Sequence, residues 1–138
     1  MTAGGPLPAD GPRRADAVVL AGADDTLCAA IEGRAAARDI AIERVESLDD
    51  GAIERAGCII LADPGGLPTI EAFDVLAAGR VLLLPRFSGS FGLEDGLDHL
   101  EFADADEAIT LVESYRRMPE AFERVRVWAR LKTRVLRS

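Results

Sequence analysis

The chain has 138 residues, with 24 acidic and 16 basic side chains and a net charge of −8. Its length fits one domain with a real hydrophobic core and no need of staples, and a second full domain is not expected. No apolar run approaches the ~20 residues of a membrane span, and the opening MTAGGPLPADGPRRAD lacks the apolar stretch of a signal peptide.

Residues 1–15, rich in Pro and Gly, read as a flexible tail, and 16–138 as the domain. Ala17–Gly22 is a short apolar strand, followed by the polar turn Ala23–Asp25 and a helix carrying Leu27, Ala30, Ile31 and Ala35 at helical spacing. Ile40–Ser47 alternates as an edge strand does, and Ser47 is the expected cap of a short helix over Gly51–Gly57. Cys58–Ala62 is continuously apolar, as a strand covered on both faces must be. A Gly-rich loop leads into a helix over Thr69–Ala78, stopped at Gly79, and a strand over Val81–Leu84. His99–Ala103 reads as the last strand, Asp104 caps a helix reaching about Arg117, and Pro119 opens a final helix.

Strands alternating with helices predict an α/β fold, a Rossmann-like, mainly parallel sheet flanked by helices. In such sheets ligands bind beyond the carboxyl ends of the strands. The loop after Ala62 lies at such an end. Its glycines, Gly65 and Gly66, and the helix start near Thr69 would offer backbone amides to an anion, with Asp63, Glu71 and Asp74 positioned to accept from sugar hydroxyls. A plain strand-to-helix turn with solvent-facing acids is the competing reading.

The cysteines, Cys28 and Cys58, are thirty residues apart in a helix and a strand, which predicts buried free thiols and a cytoplasmic protein rather than a disulfide or a metal site. His99, the single histidine, has no second ligand beside it, so a structural role is expected and neither a metal nor a cofactor is. Asp24, Asp25 and Asp63 at strand ends also resemble the acidic pocket of a phospho-receiver domain. Against this, the only lysine is Lys132 in the final helix, and Pro85 rather than a hydroxyl residue follows the fourth strand.

Charge is divided along the chain. Residues 1–115 carry twenty-two acidic and eight basic side chains, net −14, and 116–138 carry two and eight, net +6. The acidic body argues against nucleic acid as a partner. The final helix places Phe122, Val125, Trp128 or Ala129, Leu131 or Lys132, and Val135 along one apolar stripe amid arginines. It is expected either to pack on its own domain or to meet a second copy, a partner subunit or an anionic membrane surface.

From Ala17 to about Thr133 the sequence resembles the C-terminal, donor-binding half of GT-B glycosyltransferases, the spore-maturation-like and group 1 transferases. The resemblance rests on GGLPTIEAFDVLAAGRVLLLP, residues 65–85. Asp74 stands five before Gly79, where that family places a ribose-binding acid. Glu71 fits the alternative register G-L-P-x-x-E-A, with Asp63 eight residues before it as in a paired acidic motif. FGLEDGLDHLEFADADEAITLV, residues 91–112, is similar to the tail of the same family. The resemblance implies a single half-domain binding a UDP- or GDP-linked sugar through Gly65, Gly66, Thr69, Glu71 or Asp74, and Arg86. Asp24 and Asp25 occupy the loop where the family carries a basic residue, and no acceptor-binding half is recognisable, so glycosyl transfer is expected only with a partner chain. The alternative function is a non-catalytic Rossmann-like interaction protein acting through the basic final helix.

Overall fold

The computed structural model describes residues 17–63, 70–86 and 93–136; the N-terminal tail, Gly65, Gly66 and Thr69 lie outside them. Five parallel strands form one sheet: β1 (Ala17–Ala21), β2 (Glu43–Arg44), β3 (Ala56–Leu61), β4 (Val81–Pro85) and β5 (Leu100–Phe102). The order 2-1-3-4-5 is that of a doubly wound, flavodoxin-like sheet, and its direction of winding reverses between β1 and β3.

Pleating sorts the core. Val18, Leu20, Cys58, Ile60, Val81 and Leu83 face α1 (Asp25–Ala37) and α4 (Ala105–Arg117), meeting Ile31, Ala108, Ile109 and Val112. Their neighbours Val19, Ala21, Ile59, Leu61, Leu82 and Leu84 face the other way, toward α2 (Asp50–Arg55), α3 (Ile70–Ala77) and α5 (Glu123–Leu136). Each buried Leu or Ile contributes about 1.5–3 kcal/mol. This two-sided burial is why the strands read as unbroken apolar runs. Cys28 and Cys58 are buried and unpaired by any disulfide, and burial pushes the Cys58 thiol up to about 12.

Local chemistry sets the helix ends. Asp24, Asp49 and Asp104 each accept a hydrogen bond from a first-turn amide. The cap of α2 is therefore Asp49, not Ser47, two residues later than the spacing suggested. Gly79 ends α3 with φ 72°: its amide donates to the Leu76 carbonyl and the Arg80 amide to that of Val75, a Schellman closure that needs a left-handed residue. α1 closes in the same way on Asp39, φ 58°, an acid where glycine is the rule.

Two elements depart from expectation. The edge strand expected over 40–47 shrinks to Glu43–Arg44, and the contact is extended by the Val45 amide donating to Leu20. The final helix begins later, because Pro119–Phe122 forms a 3-10 turn before α5. No helix among the described residues is long and apolar enough to cross a membrane.

Candidate functional site

The carboxyl edge of the sheet at the β1/β3 reversal is the expected ligand crevice. Here the turn after β1 is tied to the end of β3. Gly22 turns with φ 132°, and a Cβ there would lie 2.3 Å from the Ala62 carbonyl oxygen. Through this close approach the Ala62 amide donates to Ala21 (2.8 Å) and the Asp24 amide donates to Ala62 (3.0 Å). The Ala23 amide donates to Asp63 Oδ1 (3.1 Å), and the Leu27 amide to Asp24 Oδ1 (3.0 Å). Three amides that could have met a phosphate at the start of α1 are thus bonded within the protein.

Charge at this edge is mostly negative. An open cleft of about 590 Å³ is lined by Gly22, Asp25, Arg44, Val45 and Glu46. Arg44, the cation among its described lining residues, donates to Asp25 Oδ1 (2.8 Å) and to Glu32 Oε1 (3.3 Å). Asp24, Asp25 and Asp63 accept from different donors, the Leu27 amide, Arg44 and the Ala23 amide, and among the described residues no cluster of acids, histidine or cysteine is arranged to hold a metal ion. Lys132 stands instead 3.5 Å from Asp98 Oδ2.

Of the residues singled out in the sequence, Glu71, Asp74 and Arg86 can be placed. Glu71, in the first turn of α3, is half-buried and accepts from the Leu48 amide at 3.4 Å, tying α3 to the loop before α2. Asp74, three residues on, is exposed. Arg86 follows β4 with its side chain 65% exposed and lies 3.9 Å from Glu107 on α4, while its amide donates to the Phe102 carbonyl. Arg80 works at the opposite end of the sheet, donating to the carbonyls of Ile53 and Glu54 at the close of α2.

The second candidate surface lies on α5. Val125, Ala129 and Thr133 are its buried positions, with the Thr133 hydroxyl donating to the Ala129 carbonyl. Arg126 Nε donates to the Gly79 carbonyl at 2.8 Å, joining α5 to the end of α3. The single apolar stripe read from the sequence is therefore resolved in favour of Ala129. Val127, Trp128, Leu131 and Val135 stand outside, 47%, 41%, 42% and 70% exposed. Spaced at 127, 131 and 135 with Trp128 alongside, they share one side of the helix.

The contacts that sequence reasoning missed are long-range pairings: Arg44 with Asp25, Glu71 with Leu48, and Lys132 with Asp98. The one available signal was a lone lysine in a helix of arginines. No family model, curated protein or solved structure matches the chain significantly.

Proposed function

We propose that this domain is an interaction module that docks a partner protein through the outer face of α5. The observation that carries the reading is the alignment of Val127, Trp128, Leu131 and Val135, large apolar side chains left in water by a helix whose opposite side is packed. Such i, i+4, i+8 anchors are how a helix seats in an apolar groove. Exposed Arg124, Arg130 and Arg134 share this helix. Self-pairing would set these arginines against their own copies, so the occupant we assign is a different protein whose apolar groove is rimmed by acids.

A photo-crosslinking residue placed at Leu131 tests this. The expected result is an adduct with another protein that, once purified, binds the chain saturably and binds Trp128→Asp about thirtyfold more weakly, equivalent to loss of an aromatic anchor of about 2 kcal/mol. Adducts between two copies alone, or flotation with anionic vesicles and no protein adduct, would overturn it.

One observation favours a second reading, a nucleotide-sugar site as in a glycosyltransferase subunit. α3 follows β3 with Glu71 in its first turn and an exposed Asp74 one turn on, acids suited to ribose hydroxyls. Calorimetric titration with UDP, GDP and their sugar conjugates is its test. Saturable binding weakened by Asp74→Ala supports it, and silence from folded protein sinks it.

A further inference from the structure

His99 is fully buried, yet each of its ring nitrogens meets a carboxylate. Nδ1 lies 2.6 Å from Asp98 Oδ1 and Nε2 lies 2.9 Å from Glu101 Oε2. A neutral imidazole has one N–H and one lone pair, so it can donate to only one of them and must turn a lone pair toward the other. The imidazolium donates to both. Asp98, also fully buried, accepts from the Glu94 amide through both oxygens at 3.2 Å and lies beside Lys132 of α5. Two carboxylates thus face His99 and Lys132, and His99 brings a positive charge to them only while it holds its proton. Glu94 and Asp95 are further acids at this corner, and Asp95 Oδ1 accepts from the Glu101 amide at 2.9 Å.

The two carboxylates do not have equal freedom. Asp98 has no exposed surface and keeps Lys132 and the Glu94 amide in either state, whereas the Glu101 side chain is 15% exposed and has a route to water. Loss of the proton therefore breaks the Nε2 contact to Glu101. Glu101 is the middle residue of β5, a three-residue strand at the edge of the sheet with β4 as its one neighbour.

We propose that the His99 proton is a lock on the edge strand: while bound, it fastens Glu101 and β5 to the 93–99 loop, and its loss lets β5 loosen from β4. Burial pushes the imidazole down, but hydrogen bonds to Asp98 and Glu101, and then their charges, carry it above the usual 6.5. A group raised in the folded state stabilises fully below its unfolded value and ceases to do so as pH rises through the folded one. The lock is therefore at full strength below the usual imidazole value, weakens above it, and is open once pH has risen through the raised folded value. This inference does not depend on what binds α5.

Because the chain has a single histidine, ¹⁵N-histidine labelling of the intact protein reports this ring alone. The experiment follows both ring nitrogens and the hydrogen-exchange protection of the 100–102 amides against pH, with β1 amides as the internal reference. Both nitrogens are expected to be protonated at pH 6 and to remain so above 6.5. Protection of 100–102 then falls by up to about tenfold per pH unit until the folded value is reached. His99→Gln should give a flat profile. If that variant does not fold, Glu101→Gln, altering a side chain with access to solvent, should shift the titration to lower pH. An unprotonated ring nitrogen at pH 6, protection of β5 indifferent to His99 titration, or an unmoved titration in Glu101→Gln would overturn the proposal.

Discussion

The β1/β3 junction and the outer face of α5 use their groups in opposite ways. At the junction, where doubly wound sheets commonly leave amides for a ligand, the amides of Ala23, Asp24, Leu27 and Ala62 all find acceptors in the protein. On α5 the fold leaves its largest apolar side chains, Trp128 among them, outside the core. A polar group already bonded gains little from a ligand, whereas apolar surface in water gains from any cover. Among the described residues, then, the junction satisfies its polar groups internally while the helix leaves apolar surface uncovered.

The largest effect should come from Gly22→Ala, which attacks the junction. A methyl group would meet the Ala62 backbone at 2.3 Å in a conformation that L residues avoid, so the loops must separate. A loss of about 3 kcal/mol or more is expected from urea unfolding. Asp24→Ala removes only the cap on Leu27 and should cost about 1 kcal/mol in the same measurement. Leu131→Ser should change stability by about 0.5 kcal/mol or less, because its side chain is already half in water, while weakening the docked complex. If Leu131→Ser unfolds as readily as Gly22→Ala, the face is part of the core and the comparison fails.

Much of the framework was legible because its causes are local. Cys58–Leu61 and Val81–Leu84 are continuous apolar runs, and such runs mark strands covered on both sides. Gly79 was read as a stop, and its left-handed φ explains why a glycine stands there, independently of any ligand motif that contains it. The α5 interface was not legible. Val125, Ala129 and Thr133 compete with Trp128, Leu131 and Val135 as the inward side, and a helical period alone does not say which contacts α3. The small side chains face in, and Arg130 packs its stem where a Cβ on Gly79 would sit, 2.9 Å from Arg130 Cδ. Glu71 was ambiguous for the same reason. Its spacing to Gly79 says nothing of Leu48, twenty-three residues earlier, whose amide it accepts.

The all-parallel sheet also governs how the chain can fold. Every strand pair named here is separated by a crossover, and the central pair, β1 with β3, joins Ala17–Ala21 to residues some forty positions later. Among the described strands no hairpin is available as a nucleus. Loop-closure entropy must be met before a ladder bond stabilises anything, and among these pairs the longest closure is that of β1 with β3. Helices α1 and α4 can form early because their backbone hydrogen bonds are local, whereas Arg38, which closes α1, bonds Glu113 and Thr110 on α4 only once both helices lie on the same face of the sheet.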